Sequence, residues 1–136
     1  MGSTKNYLPS GGFSKKEYKA TGTTANGIKI LERVDGRHAK TPTFSNTGES
    51  YAVKSTRTGL VKQVTVYGAG KNGRGKLKDI DFEHEHTNPI NKKVFRADEI
   101  HVHEYIDGVR SGEARKPSKK ERRLLTVARY GGVKSR

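Results

Sequence analysis

The chain has 136 residues with a formal charge of +14, and only 30% of them are hydrophobic. This length suits one domain with a thin core, and the charge points to a polyanionic partner: RNA, DNA, an acidic protein or an anionic surface. The absence of cysteine excludes disulfide staples and thiol catalysis, and no stretch approaches the ~20 apolar residues of a membrane span.

Residues 1–26 are rich in Gly, Ser, Thr and Lys. They read as a flexible basic arm, with a short helix over 14–20 as the one ordered option. No apolar signal segment opens the chain. Met1-Gly2-Ser3 looks like an initiator followed by a cloning scar, so a piece of a longer protein is expected. A single α+β domain is expected over 27–136. Residues 27–34 (GIKILERV) alternate as a strand, Asp35-Gly36 turns, 40–48 is loop, and 51–55 is a second strand.

Residues 60–67 (LVKQVTVY) form the clearest strand signal, with β-branched residues suited to a pleated surface. The four-glycine stretch 68–75 then predicts a hairpin turn at Asn72-Gly73. It lacks the Gly-Lys-Ser/Thr ending of a phosphate-binding loop, although Lys71 and Arg74 could touch phosphates from it. The returning strand covers 77–86, with Ile80, Phe82, His84 and His86 on one face and Asp79, Asp81, Glu83 and Glu85 on the other. The last strand, 100–106, puts Ile100, Val102, Glu104 and Ile106 opposite His101, His103 and Tyr105. A helix is predicted over 119–130. Ser118 and Glu121 form a capping box, Leu124, Leu125 and Ala128 supply an apolar stripe, and Gly131 ends it.

Charge and imidazole are unevenly distributed. Residues 79–107 hold eight of the fourteen acids and only three basic residues, whereas the rest of the chain carries 25 basic against 6 acidic groups. Four of the five histidines lie in this acidic island, as His84-x-His86 and His101-x-His103. Imidazole has a pKa near ~6.5 and can act as base or acid near neutrality. RNA cleavage needs both roles: a 2′-hydroxyl loses a proton and the leaving 5′-oxygen gains one. Salt-bridge balance between strands is the plainer reading of the charge pattern. Metal binding is a second chemistry open to His-x-His beside carboxylates, though no recognised ligand spacing is present. Of the two pairs, His101 and His103 are expected to be the more exposed, and the alternation of 77–86 lapses if His84 and His86 lie past the strand end.

The pieces Lys40-Thr41-Pro42-Thr43-Phe44, Lys78-Asp79-Ile80-Asp81-Phe82, His84-x-His86 and Ile100-His101-Val102-His103-Glu104-Tyr105, with Gly108-Val109-Arg110-Ser111, carry a resemblance. About half the chain resembles the C-terminal domains of phage minor head proteins and of bacterial polymorphic toxins. The resemblance implies a nuclease of the barnase–EndoU–colicin–RelE type, an antiparallel sheet with helices on one side. The 87–99 insert and the basic C-terminal helix depart from that pattern.

Together these readings lead to an α+β fold with a twisted antiparallel sheet of four to five strands and a C-terminal basic helix. The expected activity is a metal-independent ribonuclease toxin needing no cofactor. In it His101 and His103 are base and acid, His86 supports them, Arg110 stabilises the phosphorane, and Tyr105 stacks or donates a proton. Lys71, Arg74, Lys119, Lys120, Arg122 and Arg123 are expected to hold the nucleic-acid backbone. The expected partners are RNA (tRNA or mRNA) and an acidic immunity protein, with no membrane and a monomeric state. The expected setting is the cytoplasm of a target cell, reached as the end of a larger secreted or virion protein. The alternatives are a non-catalytic nucleic-acid-binding or phage-head module and a metal-dependent His/carboxylate enzyme.

Overall fold

The computed structural model describes residues 16–37, 40–68, 74–131 and 133–134. Lys71, the Asn72-Gly73 turn and the first 15 residues of the expected arm lie outside them. The elements are β1 (Tyr18–Thr24), β2 (Lys29–Arg33), β3 (Tyr51–Lys54), β4 (Val61–Tyr67), β5 (Lys76–Asp81), β6 (His86–Thr87), β7 (Val94–Phe95), β8 (His101–Ile106), β9 (Val109–Arg110), α1 (Lys119–Tyr130) and β10 (Val133–Lys134). One sheet runs β10-β1-β2-β3-β4-β5-β8-β9, and β6 pairs β7 separately. The chain is therefore α+β, as its patterning predicts, but three expectations need correction.

First, the main sheet has eight strands rather than four or five. Second, it is mixed: β2 and β3 are parallel, because the 34–50 connection brings the chain back to the same end before β3 begins. Third, residues 18–24 are neither arm nor helix but strand β1, paired antiparallel with β2. Thr21, Thr23 and Thr24 favour extended backbone, Tyr18 is buried, and Gly22 sits where the register slips by one residue, which a side-chain-free position absorbs.

The register sorts the side chains into rows. Ile30, Ala52, Val64, Ile80 and Val102 are cross-strand partners from β2 through β8, all apolar and all buried. Leu125 and Ala128 of α1 pack on this row, and each fully buried Leu or Ile contributes about 1.5–3 kcal/mol. The helix starts as predicted. Ser118 Oγ accepts from the Glu121 amide, and the Glu121 carboxylate accepts from the Ser118 amide at 2.8 Å. Glu121 also takes two hydrogen bonds from Arg115 at 2.8 Å and one from Lys78 at 2.7 Å, so the cap is tied to the sheet.

The opposite face carries two parallel rows of a different kind. One runs Leu31, Val53, Gln63, Asp81, His101; the other runs Tyr51, Thr65, Asp79, His103. Each passes from apolar or aromatic, through amide or hydroxyl, to carboxylate and then imidazole. The loop following β2 covers the apolar end, where Tyr18, Leu31, Tyr51 and Tyr67 form a second core. Tyr18 and Tyr67 hydroxyls donate to the carbonyls of Lys40 and Pro42 in that loop.

Candidate active site

The polar half of this second face is an organised network. Asp79 Oδ1 accepts from Thr65 Oγ1 at 2.6 Å and lies 3.6 Å from Lys76 Nζ. Its Oδ2 accepts from the Tyr105 hydroxyl at 2.7 Å. Asp81 Oδ1 accepts from Gln63 Nε2 at 2.8 Å and its Oδ2 from Arg110 Nη2 at 2.9 Å. Gln63 is oriented by the amide and hydroxyl of Thr41, both donating to its Oε1 at 3.1 Å. Arg110 Nε also lies 3.5 Å from Asp79, so one guanidinium spans both carboxylates. It reaches them from β9 because the tight turn at Asp107-Gly108, both with positive φ, folds β9 back along β8.

A cavity of about 340 Å3 opens over this network. Asp79, Asp81, Arg110, Tyr105 and Lys76 form its floor, with Lys62, Gln63, Lys40, Arg57, Glu83 and His84 around it. Burial raises the Asp81 carboxyl above the ordinary aspartate range, and the neighbouring Asp79 charge adds to this. Burial lowers the Lys76 and Lys62 ammonium groups below the ordinary lysine value, with the nearby carboxylates opposing. Burial, reinforced by the hydrogen bond to Asp79, raises Tyr105. Two carboxylates and two or three cations sharing a concave, partly desolvated space are the features by which catalytic sites are recognised.

Beside the cavity the four clustered imidazoles converge. Ring centroids are 5.3 Å apart for His101–His103, 4.5 Å for His86–His103, 5.8 Å for His86–His101 and 6.2 Å for His84–His101. They meet because the β5 alternation stops at Asp81: Glu83 takes a φ of 64° and redirects the chain toward β6. Glu83 is held there by hydrogen bonds from Thr58 at 2.7 Å and Arg129 at 2.6 Å. Asn88 clamps the following segment, donating to the Ala114 carbonyl and accepting from its amide.

The exposure of the two pairs is the reverse of the sequence expectation. His101 and His103 are 0% and 1% exposed, whereas His84 is exposed and lines the cavity. Their strand face does lie opposite Val102, but that side is covered as well: Phe95 stacks on His101 at 5.5 Å and His86 packs against both rings. His101 is pushed down to about 4 by burial, so its neutral form prevails near neutrality. His103 is lowered for the same reason. Sealed imidazoles cannot reach a substrate hydroxyl, which removes His101 and His103 from the base and acid roles.

The other expected residues divide. Arg110 and Tyr105 are in the cavity. His86 is half-buried, and its Nε2 donates to the Gly112 carbonyl at 2.8 Å. Arg74 donates to the Asn46 carbonyl. Lys119, Lys120, Arg122 and Arg123 are exposed on α1, which packs on the face opposite the cavity. The four helix cations expected to hold the nucleic-acid backbone thus lie across the sheet from the cavity. Sequence reasoning missed Asp79, Asp81, Lys62, Gln63 and Lys76 as site residues. The available signal was the order of two interior strands: in an antiparallel pairing that sets Ile80 against Val102, Asp79 and Asp81 must face His103 and His101.

This architecture defines an α+β protein with a mixed sheet, one face structural and one face bearing a charged cavity. Among the described residues no helix is long and apolar enough to cross a membrane. Comparisons with family models, with curated proteins and with solved structures return no match.

Proposed function

We propose that the protein is a ribonuclease whose working site is the charged cavity on the polar face. The observation that carries this reading is the convergence of Arg110, Lys62, Lys76, His84 and Tyr105 on one 340 Å3 space in a chain of charge +14. Long-range attraction brings RNA to the basic surface, and the cavity admits one sugar–phosphate linkage. Arg110 and Lys62 neutralise the non-bridging oxygens as negative charge builds on phosphorus. His84 takes the 2′-hydroxyl proton, the 2′-oxygen attacks phosphorus, and the 5′-oxygen departs with a proton from Lys76. The products are a 2′,3′-cyclic phosphate and a 5′-hydroxyl.

Lys76 suits the acid role because desolvation weakens its hold on the proton. Asp79 and Asp81 fix Arg110 and Lys76 rather than touch the reacting atoms. The toxin setting, with an acidic immunity partner that covers this basic rim, follows from the same reading. Incubation with total RNA and with plasmid DNA, each with and without EDTA, tests it. Cleavage of RNA to cyclic-phosphate ends in EDTA is the expected result. Intact RNA in the presence of folded protein would reject it in favour of a nucleic-acid-binding module.

A further inference from the structure

At the edge of the cavity the buried rings of His101 and His103, which the proposed reaction does not use, meet the cavity-lining carboxylate of Asp81. Ligand atoms of Asp81, His101 and His103 all lie within 4.8 Å of one another, and the three side chains come from two adjacent strands. His103 Nδ1 lies 2.8 Å from the Ser111 carbonyl, which can only accept, so Nδ1 carries the proton and Nε2 presents a lone pair. That Nε2 is buried and has no hydrogen-bond partner, and neither has either ring nitrogen of His101. His101 Nε2 faces Asp81 Oδ2 at 3.9 Å, too far for a hydrogen bond.

A buried polar atom without a partner is destabilising, because it has lost its hydrogen bonds to water and gained none. Two of these three nitrogens, the Nε2 atoms of His101 and His103, belong with Asp81 to a group whose ligand atoms lie within 4.8 Å of one another and can share one partner. Bound histidines in metal sites typically donate their other ring nitrogen to a backbone carbonyl, as His103 does to Ser111.

We propose that Asp81, His101 and His103 form a binding site for one divalent transition ion of the zinc or cobalt type. Two imidazoles and one carboxylate match the borderline character of such ions better than that of magnesium or calcium, which prefer oxygen alone. The ligand atoms must draw in to metal bond lengths of about 2.0–2.2 Å. Asp81 belongs both to this site and to the cavity wall, so an ion there would sit beside the cavity.

Arg110 is the internal competitor. Its Nη2 sits 2.9 Å from Asp81 Oδ2, the oxygen that faces His101. Lys76 and Arg110 already offset the charges of Asp79 and Asp81, so the ion and the guanidinium contend for one oxygen. This predicts modest affinity in the native chain and tighter binding once Arg110 is neutral.

The test is titration of the whole protein with Co2+, followed by visible ligand-field absorption and by displacement with Zn2+, with no RNA present. One equivalent is expected, with at least tenfold weaker binding in Asp81→Asn and at least tenfold tighter binding in Arg110→Met. Independently of any variant, paramagnetic Co2+ should broaden the ring signals of His101 and His103 in the native chain before those of His84. Folded native protein that takes up neither Co2+ nor Zn2+ overturns the proposal, as does broadening that begins at His84. RNA cleavage is measured separately, so loss of the ion site and loss of the nuclease reading are distinguishable.

Discussion

The two faces of this sheet are built from the same strands by the same period of two, yet they do opposite things. On the α1 face, Ile30, Ala52, Val64, Ile80 and Val102 join Leu125 and Ala128 in one buried apolar cluster. On the other face the partners of those strands are Gln63, Thr65, Asp79, Asp81, His101 and His103. Burying that second set means desolvating carboxylates and imidazoles, and it is tolerated because nearly every carboxylate oxygen has a donor. Among the described residues the buried polar side-chain atoms without a partner are imidazole nitrogens of His101 and His103, of which His101 Nε2 faces Asp81. One face thus supplies cooperative stability, while the other holds charge in fixed positions at an energetic cost, the usual relation between a core and a site.

Removing the base should separate the faces most sharply. His84→Ala is expected to lower the RNA cleavage rate by about 10^2–10^4-fold with an unchanged thermal midpoint, because the exposed ring does chemistry and little packing. Equal losses of rate and stability would show the cavity to be structural. Arg110→Ala comes next, at about 10^2–10^3-fold in rate, read by single-turnover cleavage with the fold checked by circular dichroism.

On the opposite face the effects should be in stability alone. Leu125→Ala is expected to cost about 2–5 kcal/mol in urea unfolding while leaving the rate of the folded fraction intact. Glu121 adds a pH dependence. Hydrogen bonds from Arg115 hold its carboxyl well below the ordinary value of 4.5, against burial, with Lys78 adding to the effect. A group depressed in the folded state stabilises fully above its unfolded value and loses that contribution as pH falls through the folded one. Urea midpoints should therefore drop as pH falls below about 4.5, and Glu121→Gln should destabilise by about 2 kcal/mol at pH 7 and flatten that drop.

The smallest effect is expected from neutralising Lys119, Lys120, Arg122 and Arg123 together. They lie across the sheet from the cavity, so the salt dependence of RNA binding should weaken while the single-turnover rate stays within about twofold. A large fall in that rate would mean that RNA wraps both faces and that the contrast between them is less complete than the side-chain rows suggest.

Much of this fold was legible in one dimension. The capping box at Ser118 and Glu121, the helix to Tyr130, the strand over 61–67 and the alternation of His101, His103 and Tyr105 against Val102 all follow from local pattern. Arg110 and Tyr105, expected together from the sequence, both line the cavity. The segment 18–24 was not legible, because Thr and Gly serve loops and edge strands alike and only pairing with β2 decides between them. The histidine roles misled for a similar reason. Alternation tells which residues share a face but not what covers it: Phe95 arrives from the 87–99 insert and His86 from the end of the expected returning strand.

What the amino-acid order determined by itself is the inventory: a strongly cationic chain, an acidic island with four imidazoles, and strands and a helix of the right period. Those properties depend on composition and nearest neighbours. Tertiary structure alone decided which groups meet solvent and which are sealed. The pairing of β5 with both β4 and β8 sets Asp79 and Asp81 between hydroxyl or amide on one side and imidazole on the other. The left-handed turn at Glu83 brings His84 to the cavity. Such juxtapositions arise between residues far apart in the chain, so the long-range register, and not local propensity, sets the chemistry of this protein.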